Sequence, residues 1–291
     1  MSSKLRIGFQ GEVGAYSEEA VGALYKTEQS VAVPFPSFES VFEALQSGEV
    51  DRAVLPIENS LFGSVHQNYD LLREHDVNIA AEVQIRIKHQ LLAPKGSSID
   101  QITHVFSHPQ AIGQCRQFLR THLPNAEVVP AYDTAGAAKQ VAAKQNPAHA
   151  AIASRAAARE YDLATLASDI ESNHENYTRF LALGVPTVDL NEGLDAANAT
   201  QMGFKTSLLY AQKENLPGGL FKSLAVFALR DIDLFKIESR PLIGSPGKYI
   251  FYLDLEGHAS DDSIKNALHH LKEIAAFVKI LGSYRVGRFV E

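Results

Sequence analysis

The chain has 291 residues, 45% hydrophobic and 21% charged, which excludes a disordered polymer and allows about two or three packed domains. A formal net charge of −7 leaves no basic footprint for nucleic acid, so an anionic ligand must be held by local donors against the overall field. One cysteine excludes internal disulfides and Cys-rich zinc sites, and no apolar run nears the roughly 18 residues that a membrane-spanning helix needs.

The N-terminal "MSSKLRIGFQG" passes into a strand without a signal-peptide core, so a cytoplasmic protein is expected. "LRIGF" reads as a strand and "YSEEAVGALY" as a helix. Phe38, Val41, Phe42 and Leu45 have the spacing of an amphipathic helix. "RAVLPI" is a strand and "VHQNYDLLREH" a helix. "VNIAAEVQIRI" alternates Val77, Ile79, Ala81, Val83, Ile85 and Ile87 onto one face of a long strand. Then follow "ITHVF" (strand), "PQAIGQCRQFLRTH" (helix), "AEVVPA" (strand), "DTAGAAKQVAAKQ" (helix) and "HAAIAS" (strand into helix). The pattern predicts a doubly wound α/β region with parallel strands.

In such sheets ligands bind beyond the C-terminal strand ends. The polar clusters "QGEVGAYS", "PIENS", "SHPQ" and "AYDTAG" fall at those positions. Residues 186–202 have linker composition. Beyond them "GFKTSLLYAQ", "GGLFKSLAVFALR", "DLFKIESRPL", "KYIFYLDLEG", "DSIKNALHHLKEIAAF" and "VKILGSYRV" read as βαββαβ, a ferredoxin-like unit.

"GFQGEVG" spaces its glycines as G-x-x-G-x-x-G, unlike the dinucleotide fingerprint, and Ser17 reads as a helix N-cap. His104 and His108 are four apart, but strand-like "THVF" and Pro109 keep them off one helical face; His269 and His270 lie mid-helix, and no metal is expected. Cys115 shares a helical face with Ala111, Ile112, Phe118 and Leu119, which makes it a core thiol.

"PIENS" sets Glu58, Asn59 and Ser60 in a row, either as a turn cap or as groups facing a ligand. "SHPQA" opens a helix with Ser107 as cap and Pro109 in its first turn, and "DTAGAA" repeats the device with Asp133 and Thr134. Two helix starts aimed at one cleft suit a dianionic organic acid. "SNHENYTRFLALG" brings Asn173, Asn176, Thr178 and Arg179 to the mouth of an apolar strand at 180–183, as a cleft gripping an anion would.

Taken in order, "PIENSLFGSVHQNYDLL", "SHPQAIGQC", "DTAGAA", "AAIAS", "NYTRF" and "IESRP" resemble prephenate dehydratase with a C-terminal ACT regulatory domain, over about residues 7–284. The resemblance implies an α/β catalytic region at 1–185, two-lobed like a type II periplasmic binding protein, with the second lobe at about 85–160. A linker at 186–202 and an ACT domain at 203–291 complete the chain. It further implies that prephenate becomes phenylpyruvate, water and carbon dioxide in phenylalanine biosynthesis, without a cofactor. A homodimer or homotetramer that binds L-phenylalanine at paired ACT domains is implied too.

The same resemblance makes Thr178 the key catalytic residue, a positioned donor to the departing hydroxyl. Asn59, Ser60, Ser107, Gln110 and Thr134 carry the other cleft motifs, and Asn176 and Phe180 flank Thr178 in "NYTRF". Glu58 is read as an assisting acid or a structural hydrogen-bonding group. Arg179 is read as a carboxylate clamp or a salt bridge beneath the site, since adjacent strand residues point to opposite faces. The effector set is Gly218, Gly219, Leu220, Asp233, Glu238, Ser239 and Arg240. Phe235 stands where a Thr is usual and Arg285 where a Pro is common, departures that bear on feedback strength. Two rivals remain: an arogenate dehydratase, whose branch shares "NYDLL" and "FKTSLLYA", and a non-catalytic small-acid sensor joined to an ACT module.

Overall fold

The computed structural model describes residues 4–195, 199–242 and 244–291; residues 196–198 of the expected linker lie outside the described residues. The chain begins β1 (Leu5–Gln10), α1 (Tyr16–Leu24), β2 (Ser30–Phe35), α2 (Phe38–Ser47) and β3 (Arg52–Asn59). It continues through β4 (Gly63–Ser64), α3 (His66–Glu74), β5 (Asn78–Arg86), β6 (Gln90–Ala93) and β7 (His104–Ser107). Next come α4 (Pro109–Gln114), α5 (Arg116–His122), β8 (Glu127–Pro130), α6 (Thr134–Lys144), β9 (His149–Ala153) and α7 (Arg155–Glu160). β10 (Ala164–Ala167) and β11 (Tyr177–Gly184) close this half. The rest is β12 (Ala199–Gln212), α8 (Gly219–Ala228), β13 (Leu234–Pro241), β14 (Tyr249–Glu256), α9 (Asp262–Ile274), β15 (Ala275–Gly287) and β16 (Phe289–Val290).

Three sheets result, in the orders β16-β5-β11-β3-β1-β2 (with β4 on β3), β10-β6-β9-β7-β8 and β13-β14-β12-β15. The first two form an α/β region of two lobes. The third, from consecutive β12, α8, β13, β14, α9 and β15, is the ferredoxin-like unit that the pattern predicts.

The expectation of parallel strands needs correction. β1 pairs in parallel with β2 and β3, and β7 with β8 and β9. However, β11 runs antiparallel to β3 and β5, and β6 antiparallel to β9 and β10. The cause is topological: the chain leaves the first sheet after β5, builds the second, and returns as β11, against the direction of the βα units.

The strand at 77–87 does not keep one face. Pairing with β11 runs Ala182↔Ala81 and then Leu183↔Ile79, so Ala80 is the extra residue of a β-bulge. Val83, Ile85 and Ile87 consequently join the core between the lobes, whereas Val77 and Ile79 face the third sheet. The bulge also turns Glu82 toward the third sheet, where it meets two cations. Three local expectations shift as well. Ala15, not Ser17, occupies the N-cap of α1, and the helix at 109–122 breaks at Cys115 into α4 and α5. Ser107 is the last residue of β7, and the cap of α4 is His108.

The third sheet lies between two layers. Leu208, Tyr210, Phe251 and Leu253 pack under α8 and α9, while Leu209, Ala211, Ile250 and Tyr252 pack on Leu181, Leu183 and α3 residues of the first sheet's layer. Lys279 of β15 donates to the Leu72 and His75 carbonyl oxygens at the C-terminus of α3 (3.0 and 2.5 Å), where a cation also meets the helix dipole. Gly282 and Gly287 lie directly on β5; a Cβ at either would overlap the carbonyl oxygen of Ile79 or Glu82. Backbone rests on backbone there, without a cushion of side chains.

Candidate active site

Between the lobes lies a cavity of about 500 Å³, within the size range of small-molecule sites. Its walls come from the strand ends and helix starts that the polar clusters marked: Gln10 and Tyr16, Asn59, His108 and Gln110, Asp133 and Thr134, and Thr178 with Phe180. No Lys or Arg is among the described residues that line it. Carboxylates entering this cleft must therefore be held by hydroxyls, amides, imidazole N–H groups and helix N-termini.

Thr178 begins the wall. It is opposite Asn59 in the β11–β3 pairing, so the two side chains share a face. Asn59 Nδ2 lies 3.0 Å from Thr178 Oγ1 and donates to it, and Asn59 Oδ1 accepts from the backbone N–H groups of Leu61 and Phe62 at 3.0 and 3.1 Å. These two acceptor contacts fix which end of the Asn59 amide is the nitrogen. Thr178 Oγ1 is thus an acceptor toward Asn59, so its own proton is not used in that bond and is available to a ligand in the cavity.

Behind Asn59 a hydrogen-bonded chain crosses to the second lobe. Asn59 Nδ2 reaches Asn176 Oδ1 at 2.8 Å, and Gln114 Nε2 reaches the same oxygen at 3.4 Å. Gln114 Oε1 accepts from His89 Nε2 at 2.5 Å, and His89 Nδ1 meets the Tyr16 hydroxyl at 3.0 Å. Burial lowers the His89 pKa against the opposing Gln114 hydrogen bond and Glu171 charge, so the ring is neutral at pH 7. His108 is likewise lowered by burial, with Asp133 opposing. Its Nδ1 accepts from Gln110 N at 3.3 Å, which leaves the proton on Nε2.

The expected site residues divide. Asn59, Gln110, Thr134, Thr178 and Phe180 line the one cavity. Asn176 is fully buried one layer back, holding Asn59. Ser60 lies outside: its hydroxyl donates to Glu175 O (2.7 Å) and accepts from Tyr177 N (2.9 Å), fastening the loop before β11. Ser107 is buried and donates to Ile152 O at 2.6 Å, a bond between neighbouring strands. Glu58 and Arg179 point away from the cleft, because each is one residue from a cleft residue on a pleated strand. Glu58 pairs with Lys236 of β13 at 2.7 Å.

Arg179 enters a buried cluster between the first and third sheets. Its Nε donates to Glu82 Oε2 and an NH group to Asp254 Oδ2, both at 2.6 Å, and the other NH group reaches the Tyr284 hydroxyl at 3.0 Å. Lys205 Nζ holds Glu82 Oε1 at 2.7 Å, and Ser207 donates to Asp254 Oδ1 at 2.5 Å. Burial alone would lower the guanidinium pKa, but Asp254 and Glu82 outweigh it and raise it. Asp254 is raised by burial yet brought below its ordinary range by Arg179 and Lys205. Of the two open readings of Arg179, the geometry is that of the salt bridge beneath the site.

The effector set divides too. Gly218 caps α8 with φ 76°, and Gly219 and Leu220 open that helix. Beside Gly219, Gln212 Nε2 is buried without a partner. Asp233 is exposed, with Oδ1 on Leu234 N at 2.8 Å. β13 alternates: Phe235, Ile237 and Ser239 are outward, while Lys236, Glu238 and Arg240 turn toward the first sheet's layer. Glu238 accepts from Ser64 at 2.5 Å and lies 3.7 Å from Lys236, and Arg240 pairs with Asp70 at 2.7 Å, so both are engaged within the chain. Lys205 Nζ sits 4.9 Å from the Phe235 ring, and the Arg285 guanidinium 4.3 Å from the Phe204 ring. His89, His108, Gln114 and Tyr16 are cleft residues that the motifs did not single out as ligand-facing; His108 and Gln114 nevertheless lie inside "SHPQAIGQC".

The sequence model of the prephenate dehydratase family matches residues 7–187 of this chain. The chain belongs to the prephenate dehydratase family. A relative from Arabidopsis thaliana, "Arogenate dehydratase/prephenate dehydratase 2, chloroplastic", is 45% identical over 98% of this chain and 74% of its own. Among solved structures, the prephenate dehydratase of Arthrobacter aurescens in complex with L-Phe is 31% identical, with a TM-score of 0.86 over 97% of this chain and 90% of that one. A protein titled "GqqA- a novel type of quorum quenching acylases" has the same fold at a TM-score of 0.84 and 30% identity, covering 97% and 98% of the two chains. The family match and the cleft fall on the same residues, since the lining runs from Gln10 to Phe180. No helix among the described residues is long and apolar enough to cross a membrane.

Proposed function

We propose that the protein is a prephenate dehydratase whose cleft aromatises a bound cyclohexadienol dicarboxylate, with L-phenylalanine as the effector of its ACT unit. Residues 1–185 form the catalytic region in this reading, with the second lobe at about 85–160, and 203–291 form the regulatory unit. The observation that carries it is Thr178: its hydroxyl lines the cleft and accepts from Asn59, which leaves its proton available to a bound ligand in a cleft of dehydratase lineage.

The reaction needs little from the protein. The ring C–carboxylate bond breaks to release carbon dioxide, and its electron pair enters the ring. The C4–oxygen bond breaks, and the departing hydroxide takes a proton to leave as water. Prephenate dianion plus one proton thus gives phenylpyruvate monoanion, carbon dioxide and water. The Thr178 hydroxyl hydrogen-bonds the leaving oxygen, and solvent supplies the net proton. Gln110, Thr134 and the first turn of α6 hold a carboxylate without lysine or arginine. His108, as a neutral Nε2–H donor, adds a further hydrogen bond. Preorganised neutral donors suffice where charge is dispersed as it develops.

Regulation is supported by the α8 start, where Gly218 and Gly219 offer backbone N–H groups and Gln212 Nε2 lacks a partner, a seat suited to an amino-acid carboxylate. Exposed Phe221 and Leu220 on α8, and Phe235 and Ile237 on edge strand β13, suit a homodimer or homotetramer joined through these units. A cytoplasmic place of action agrees with Cys115, which is free, buried and pushed up in pKa by that burial. Steady-state assays with prephenate, with and without L-phenylalanine, test the whole reading. Thr178→Ala is expected to lower kcat about 10²–10³-fold in a folded protein; near-normal turnover rejects the role of Thr178.

A further inference from the structure

Two neighbouring pairs on β3 and β11 stand back to back. On the cleft face, Asn59 lies opposite Thr178 and bonds its hydroxyl at 3.0 Å; on the other face, Glu58 lies opposite Arg179. Both members of the second pair bind the third sheet. Glu58 takes Lys236 Nζ of β13 at 2.7 Å, and Arg179 takes Asp254 of β14 at 2.6 Å and the Tyr284 hydroxyl of β15 at 3.0 Å. We propose that Lys236 and Asp254 are positioning residues for the dehydration: acting through Glu58 and Arg179, they set the separation of Asn59 and Thr178, and effector binding on the third sheet alters turnover by this route. The inference rests on the dehydratase reading and names the regulation of that site.

Three features make the linkage stiff. Glu58 and Arg179, which take the third-sheet ions, are each one peptide bond away from a cleft residue, Asn59 and Thr178. Gly282 and Gly287 seat β15 backbone directly on β5, and Glu82 of β5 binds Arg179 and Lys205 together. Lys236 and Glu238 share β13 with outward-facing Ser239 of the effector set, so a displacement of this strand is felt on both of its faces. The Lys236 ammonium is also 3.1 Å from Ser64 Oγ and 3.7 Å from Glu238, which pins β4 and the cleft residue Ser64 to the same strand.

The charges facing the cluster are accounted for on every side. Arg179, Glu82, Lys205 and Asp254 balance two against two. Glu58, Lys236 and Glu238 form the second group, with His66 Nε2 3.4 Å from Glu238. None of the side chains of Lys236, Asp254 or Lys205 lines the cleft. Their effect on the reaction must pass through geometry rather than through contact with substrate. Misplacing a catalytic group by a fraction of an ångström is felt in kcat before it is felt in substrate affinity.

The test uses the full chain carrying Lys236→Met, Asp254→Asn, or the exchange Glu58→Lys with Lys236→Glu, with kcat, KM and the L-phenylalanine response measured for each. Expected for Lys236→Met is a kcat about tenfold lower with KM within about twofold, together with loss of the L-phenylalanine response, in a protein that still folds. The exchanged pair restores part of both, which a merely structural role for Lys236 does not predict. Asp254→Asn acts in the same direction; if that buried variant does not fold, the Lys236 pair decides, because its partner Glu58 is partly exposed. Wild-type protein without turnover overturns the dehydratase reading and this proposal together. Wild-type turnover with kcat and L-phenylalanine response unaltered in folded Lys236→Met overturns this proposal alone.

Discussion

The two faces of β11 use polar residues in opposite ways. On the cleft side, Thr178, Asn59, Gln110 and Thr134 present neutral donors, and among the described lining residues no Lys or Arg appears. On the far side, Arg179, Glu82, Lys205 and Asp254 form a buried, balanced set of four charges. The chain keeps its arginine and lysine charges behind the reaction site, where they fix the strand, and in front leaves neutral, directional donors together with the carboxylates of Glu39 and Asp133. A cleft lined by arginine would grip substrate and departing products alike; neutral donors favour the charge shift itself.

Removing Arg179 from the far side should give the largest loss of stability. Arg179→Met strands Glu82 and Asp254 without their guanidinium, and breaking a buried pair costs about 3–5 kcal/mol. Thermal or urea unfolding should report that loss, whereas Thr178→Ala should leave the unfolding midpoint near that of the wild type. A reversed result, with Arg179→Met as stable as the wild type, would mean that the guanidinium does not hold Glu82 and Asp254 as described.

The seam between the sheets offers a finer test. Gly287→Ala adds a methyl against the Glu82 carbonyl, and overpacking of this kind costs about 1–3 kcal/mol. The expected result is a lower melting temperature with a KM for prephenate close to that of the wild type. Unchanged stability would mean that β15 does not rest on β5 as closely as described.

The smallest effect concerns acid. Asp254 is held below its ordinary value near 3.8 by Arg179 and Lys205. A depressed carboxyl contributes stability that is fully present above its unfolded value and is lost as pH falls through the folded one. Melting temperature should therefore drop as pH goes below roughly 4, and Asp254→Asn should flatten that limb. An identical acid limb in wild type and variant would remove Asp254 as its source.

Much of this was legible in the sequence because it depends on local patterns. Helical spacing found α2 and α6, and the order of elements after residue 203 gave the ferredoxin-like unit. The cleft was also within reach, since strand-end polar clusters mark the mouths of α/β sheets whatever their exact pairing. What escaped depends on partners far away along the chain. The bulge at Ala80 breaks an alternation that looked unbroken, because it is set by pairing with β11, about a hundred residues on. Arg179 and Glu58 were separable from Thr178 and Asn59 only by pleat parity, and parity says which residues part company without saying what each meets. Ser107 looked like a cap because Ser commonly is one, yet His108 caps α4 with a ring nitrogen. Gln114 and His89 matter through a hydrogen-bonded chain between two lobes, for which short motifs carry no signal.

β16 gives the architecture a mechanical character. After β15 leaves the third sheet, Phe289 and Val290 rejoin the first sheet beside Gln84 and Ile85 of β5, and Phe289 lies edge-on against Tyr177, the residue before Thr178. Beyond the chain that enters it, the ACT unit is therefore fastened to the first sheet a second time at its exit, through β16. Such a piece cannot swing free on a single tether; it can only slide or tilt in place, and small tilts are what the residues beside Thr178 would register.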